Sequence, residues 1–221
     1  MTDPRRAALS QIPATRLPAD EVMVTDPRQA ALCRLRATRI PADGVVLVAR
    51  PTADTDHAQI RDLHLQCSDT TLYHRYHCGL KQPTASMLKN MTDRRKGLYL
   101  AVHEPEGRLV GLCGLAFTEP PCTVELALLV ADDWQGRGIG RAVCELLLRS
   151  ARAAGFERVM AHVVAENRRA VTFMTRLGAT TTDRIDPCVI SMAFALNACD
   201  EETADKKSPC DEKNPCDEEL V

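Results

Sequence analysis

The sequence predicts one α/β (α+β) domain, and three observations carry that expectation. Short apolar runs bounded by turns alternate with stretches of helical periodicity from residue 45 to 196. Two of the helical stretches stop at glycines, Gly155 and Gly178. The chain of 221 residues suits one well-buried domain with some tail and is short for two.

The elements follow in order. Residues 45–50, within "VVLVARP", read as a first strand. Residues 54–67 place Ile60, Leu63 and Cys67 at helical spacing, with Asp54 or Thr55 as a cap. "TASMLKNMTD" at 84–93 reads as a second short helix. "GLYLAVHEPEGRLVGLCGLAF" predicts a hairpin, two apolar strands joined by a polar turn at Glu104–Arg108. Residues 123–130 make another strand, 138–154 an apolar helix, and 158–164 a further strand. In 167–178, Ala170, Phe173, Met174 and Leu177 share a helix face. "CVISMAFAL" at 188–196 closes the domain as a strand.

The flanks differ from this middle. "TDPRRAALSQIPATRLPADEVMV" at 2–24 returns as "TDPRQAALCRLRATRIPADGVVL" at 25–47. Two copies are too few for a solenoid, and residues 1–44 are expected to form a mobile duplicated leader ahead of the domain at 45–196. Residues 197–221 repeat "NACDEE", "SPCDEK" and "NPCDEE", the composition of a solvated, disordered tail. Cys199, Cys210 and Cys216 in it are irregularly spaced for a metal or a disulfide pattern.

Charge excludes some functions. Residues 1–50 carry eight arginines against five acids, and residues 197–221 nine acids against three lysines. The middle is balanced, so no nucleic-acid surface is announced. No apolar run has signal-peptide or membrane-spanning length, and no membrane partner is expected. Ten cysteines without a CxxC pair, with Cys67, Cys113 and Cys144 inside apolar patterns, fit buried thiols in a reduced cytoplasmic protein. No histidine and acid pair has metal-ligand spacing, so no metal is expected. Nothing in the sequence reports an oligomeric state.

"ADDWQGRGIGR" at 131–141 is the most specific stretch. Gly136, Gly138 and Gly140 lie between a strand and a helix. A triphosphate loop of the G-x-x-x-x-G-K-[ST] type needs a lysine and a hydroxyl, and neither follows. A dinucleotide fingerprint needs a glycine where Arg141 stands. The loop still favours an anion. Glycines let backbone N–H groups converge at a helix N-terminus, and Arg137 and Arg141 add charge. A diphosphate fits; a plain glycine-rich turn is the alternative.

Gln135-x-x-Gly138-x-Gly140 resembles the [QR]-x-x-G-x-[GA] loop of the GNAT superfamily of N-acetyltransferases. "ENRRAVTFMTRLGA" is similar to that family's second signature. The resemblance covers about 45–196 and implies a mixed, mostly antiparallel sheet of about six or seven strands with about four helices. It implies acetyl-CoA as co-substrate. Backbone groups of Leu128, Leu129 and Val130 would pair with the pantetheine arm. Val130, Gln135, Gly136, Arg137, Gly138, Ile139, Gly140 and Arg141 would line the pyrophosphate site, and the Asn167 side chain would touch the coenzyme. A further resemblance is to bacterial Pat-type protein-lysine acetyltransferases, through Ser68, Tyr73, Arg75 and Tyr76 and through "VELALLVADDWQGRGIG".

Acyl transfer to an amine needs a base and an oxyanion donor. Glu125 is the candidate base: it is a lone acid in "TVELALLV", where burial would raise its pKa, and it falls where the Pat-type family has its catalytic glutamate. The position at which many relatives place an acidic tyrosine is Met174, which donates no proton. Water then suffices; Tyr73 and Tyr76 are other polar candidates with no assigned role. His162 faces the acceptor cleft or is a satisfied structural histidine; His74 and His77 line the acceptor site or lie on the surface. The expected reaction moves an acetyl group to a primary amine, with a protein lysine ahead of a small amine. The rival expectation is a non-catalytic acyl-CoA-binding module.

Overall fold

The computed structural model describes residues 26–196. The first copy of the repeat and the acidic tail lie outside the described residues. Within them, one eight-stranded sheet runs in the order β1-β2-β3-β4-β5-β6-β8-β7. The strands are β1 (Thr38–Ala42), β2 (Val45–Pro51), β3 (Gly97–His103), β4 (Leu109–Phe117), β5 (Thr123–Val130), β6 (Arg158–Val164), β7 (Thr180–Asp186) and β8 (Val189–Ala195). The α-helices are α1 (Pro27–Leu32), α2 (His57–Leu65), α3 (Asp69–Tyr76), α4 (Ala85–Thr92), α5 (Ile139–Ala153) and α6 (Arg168–Arg176). Every strand pairing is antiparallel except β5 with β6.

The fold class agrees with the expectation, and the element count exceeds it. Three additions have physical reasons. β7 is an edge strand, and its residues "TTTDRID" carry no apolar alternation to announce it. α3 follows α2 after a break at Gln66–Cys67, because Ser68 caps a new helix by accepting from the Thr71 N–H at 3.2 Å. The third addition moves a boundary. The second repeat copy is not a leader: it supplies α1, β1 and the start of β2. Leu32 (1% exposed), Ile40 and Ala42 join the core, so the folded unit begins well before residue 45. Asp43 and Gly44 make the two-residue turn between β1 and β2, both at positive φ (48° and 73°). The first copy has Glu21 where the second has Gly44, a residue that resists this conformation. Cys33 and Arg94 then tie α1 to the approach to β3, Arg94 donating to the Cys33 carbonyl at 3.1 Å.

β4 lies at the centre of the sheet and is buried from Leu109 to Leu115. Helices α2, α3 and α4 cover one face through β3, β4, β5 and β6. On the other face α5 packs across β1, β4 and β5, burying Ile139, Val143, Cys144, Leu147 and Ala151. Cys113 and Cys144 are buried thiols as expected, and burial pushes Cys113 up to about 12. Cys67 is half-buried, and burial with the nearby Asp132 also pushes it to about 12.

Candidate active site

The site begins where two neighbouring strands part. β5 pairs with β6 only over Thr123–Glu125 against Arg158–Met160. Beyond Glu125, β6 continues along β8, while β5 continues along β4 as far as Val130. A wedge therefore opens with Glu125 at its apex. The Ala131 N–H bonds the Val110 carbonyl across β4. Strand alternation then turns the backbone groups of Leu126, Leu128 and Val130 toward the wedge. An extended ligand arm there would replace β6 as the hydrogen-bonding neighbour.

The wedge leads to the glycine loop. Gly136 and Gly138 hold φ of 81° and 86°, the left-handed region that a β-carbon disfavours. Gly138 is the N-cap of α5, and no side chain caps that helix. The first intrahelical bond of this end runs from the Ala142 N–H to the Gly138 carbonyl at 3.0 Å. The N–H groups of the first turn therefore point outward without intrahelical acceptors, at the positive end of the helix dipole. Arg137 lies over the Trp134 ring, 4.8 Å from its centroid. A β-carbon on Gly136 would sit 3.2 Å from a guanidinium nitrogen of Arg169, so α6 brings a second cation to the loop. Gly140 packs near Phe173 of α6.

A polar brace holds the loop against α3. Asp132 accepts from the Ser68 N–H at 3.0 Å and from the Thr71 hydroxyl at 2.8 Å. The Gln135 amide donates toward the Val130 carbonyl (3.1 Å), Asp132 (3.1 Å) and Thr71 (3.2 Å). The Gln135 N–H bonds the Asp132 carbonyl. The side-chain amide of Gln135 therefore braces the loop from within.

Glu125 is half-buried, on the sheet face covered by α3. Register places Tyr99, Met160, His162 and Ser191 on that same face. His77, in left-handed conformation (φ 56°), ends α3. Burial, with the Arg75 and His162 charges, holds His77 below its ordinary value while Glu125 pulls the other way. Burial raises Tyr99; Glu125 adds to that and Arg75 opposes it. Glu125, Arg75, His77, His162 and Tyr99 thus share one electrostatic environment. Arg75 stacks on Tyr76 at 4.8 Å, and among the described residues no carboxylate pairs with it.

The remaining expected residues have plain placements. Asn167 is the N-cap of α6, its side-chain oxygen accepting from the Ala170 N–H at 3.0 Å. His162 bonds Ser191 through Nδ1 at 3.1 Å, the satisfied arrangement. Tyr76 is committed to the buried His64 at 2.6 Å, and His64 also bonds the Ile60 carbonyl through Nδ1. That bond fixes Nδ1 as donor, so Tyr76 donates to Nε2. Burial first, with Arg75, lowers His64, while its bond to the Ile60 carbonyl opposes them. Tyr73 is exposed, His74 half-buried beside it, and Met174 is buried in α6. Sequence reasoning passed over Tyr99, Thr71, Asp132 and the arginines of α6. Each joins the site through a contact distant in sequence, which periodicity does not register.

Comparison with known proteins agrees with this geometry. The sequence pattern of the Acetyltransferase (GNAT) family matches residues 58–179, more than half of the chain. The acetyltransferase Pat of Mycolicibacterium smegmatis is 30% identical over 134 residues, 59% of this chain and 40% of that protein. The chain thus spans well under half the length of that curated relative. Among solved structures, the GNAT domain of S. lividans PAT superposes with a TM-score of 0.68 at 22% identity, covering 72% of this chain and 96% of that one. Spermidine N-acetyltransferase from Vibrio cholerae, solved with CoA and spermine, gives 0.55 at 18% identity, covering 68% of this chain and 95% of that one. With the wedge, the glycine loop and the family pattern in the same residues, the chain belongs to the Acetyltransferase (GNAT) family.

Proposed function

We propose that this protein transfers an acetyl group from acetyl-CoA to a primary amine, with a protein lysine as acceptor and Glu125 as general base. The single observation that carries the reading is the wedge that opens after Glu125 and leads to the uncapped start of α5. Two features fit the coenzyme. The strand edge of Leu128 and Val130 offers a ladder to an amide-bearing arm. The first turn of α5, with Arg137 and Arg141, offers N–H groups and charge to a diphosphate. Bound acetyl-CoA supplies the activated thioester, so no covalent intermediate on the protein is required.

The roles of this chain's residues follow. Glu125, at the apex, takes a proton from the incoming ammonium directly or through one water. A backbone N–H of Leu128 or Val130 donates to the oxygen on which negative charge develops. Gln135, Asp132 and Thr71 hold the loop in place, and Asn167 fixes the start of α6 beside it. Met174 is a packing residue, so the leaving thiolate takes its proton from solvent. The acceptor face carries Arg75 together with Glu125, an arrangement that suits a single lysine amine better than a polyamine. The sequence resemblance to Pat-type protein-lysine acetyltransferases, through Ser68, Tyr73, Arg75 and Tyr76, supports this acceptor class. A cytoplasmic location is part of this proposal.

The test is acetyl-CoA turnover over a panel of lysine peptides and polyamines, with Glu125→Gln as the control. We expect Glu125→Gln to lower kcat about 10²–10⁴-fold, the usual contribution of a positioned base, with coenzyme affinity kept. Tight coenzyme binding without transfer to any acceptor would support the binding-module reading instead. An unchanged rate in the variant would remove Glu125 as base.

A further inference from the structure

We propose that the acidic stretch at residues 197–221 docks in the arginine-lined groove between α5 and α6 and competes there with the phosphates of the coenzyme. The competition rests on the proposed function; the docking does not. The groove encloses about 470 Å³ and is lined in part by Arg141, Arg168, Arg169, Phe173 and Arg176. Arg141 is paired with Glu145 at 2.9 Å. Among the described residues, Arg168, Arg169 and Arg176 have no carboxylate within ion-pair distance. All three are exposed, and Arg169 and Arg176 lie two turns apart on one face of α6. Such a ribbon of like charge attracts a polyanion.

The chain carries that polyanion at a matching place. Residues 197–221 hold nine acids against three lysines. They start where the Leu196 N–H bonds the Glu157 carbonyl (2.8 Å) and Arg152 bonds the Leu196 carbonyl (3.0 Å), beside the last turn of α5. Arg141 stands in the first turn of the same helix, about 16 Å away along its axis. α6 covers about 12 Å of that length: Arg169 lies against Gly136 at one end. The other end passes Gly178 into β7, whose Thr180 pairs with Ala193. An extended chain covers about 3.3 Å per residue. About five extended residues therefore cover the roughly 16 Å along α5, and the stretch beyond Leu196 is several times that long. Tethering gives the stretch an effective concentration on the order of millimolar, so weak charge pairing suffices to fill the groove. An incoming coenzyme, whose phosphates need the same arginines, would displace it.

Limited digestion of the reduced full-length chain with a glutamate-specific protease tests this, with cleavage within 197–221 followed by mass. At low salt we expect wild type to be cut there about fivefold more slowly than a triple variant, Arg168→Gln with Arg169→Gln and Arg176→Gln. The difference should vanish at about 0.5 M salt, where screening is strong, and should not change with protein concentration. CoA should bring wild type to the variant's rate. Equal wild-type and variant rates at low salt would overturn the docking, and a concentration-dependent difference would replace it with docking between copies. CoA that binds by calorimetry yet leaves the wild-type rate unchanged would overturn the competition. CoA that does not bind would remove the coenzyme reading, and the arginine comparison would still decide the docking.

Discussion

Gln135 and Asp132 show how single residues organise the glycine loop from behind. Asp132 faces the start of α3, where N–H groups and the dipole favour a carboxylate, and hydrogen bonds from Ser68 and Thr71 outweigh its burial to hold it below the usual carboxylate range. Gln135 bridges this cluster to the Val130 carbonyl at the wedge. One such hydrogen bond contributes about 1 kcal/mol. Gln135→Leu is therefore expected to weaken coenzyme binding about fivefold, with the acceptor KM unchanged; calorimetry with CoA and steady-state kinetics check this. A variant with wild-type affinity would show that the loop keeps its shape without the brace. Glu125 and the glycines were legible in the sequence because their residue types are unusual where they stand. Tyr99, Thr71 and Arg169 are ordinary residues whose role comes only from what they touch.

At the scale of elements, the second repeat copy is the most informative. Its α1 and β1 extend the sheet and close over α5, with Leu32 inside. Truncating a fully buried leucine costs about 2–5 kcal/mol. Leu32→Ala should lower stability by that amount in urea unfolding, whereas a leader outside the domain would leave it unchanged. The wedge is also a property of elements: parallel pairing stops at Glu125 because β8 takes the far edge of β6 while β5 follows β4. Strands β2–β6 and β8, and helices α2 and α4–α6, were legible through their apolar periodicity. β1 and β7 were not, being short or polar strands whose pairing partners hold them in place.

At the scale of the whole molecule, a buried polar network sets the response to acid. His103 is 6% exposed, bonds Gln59 at 2.9 Å, and lies beside Arg50, itself paired to Asp56 at 2.6 Å. Burial first, then the Arg50 charge against that of Asp56, lowers His103 from 6.5 to about 4. Between those values the unfolded chain binds a proton that the folded chain refuses, so stability falls as pH drops from about 6.5 toward 4. The loss from His103 is on the order of 3 kcal/mol. His64 is lowered in the same direction and adds to it. Urea midpoints at pH 7, 5.5 and 4.5 should show this fall, and His103→Gln should reduce it. Equal slopes in the two proteins would place the acid sensitivity elsewhere.

The sequence by itself determined the fold class, the order of the main elements and the loop suited to a diphosphate. Those follow from local periodicity, capping and backbone freedom, which act within a few residues. Only the tertiary structure decided that residues 26–44 pack into the domain, that Gln135 ties the glycine loop to Thr71 and Asp132, and that α6 brings Arg169 against that loop. These depend on which segments pack together, and packing joins residues such as Thr71 and Asp132, or Gly136 and Arg169, that no local pattern connects.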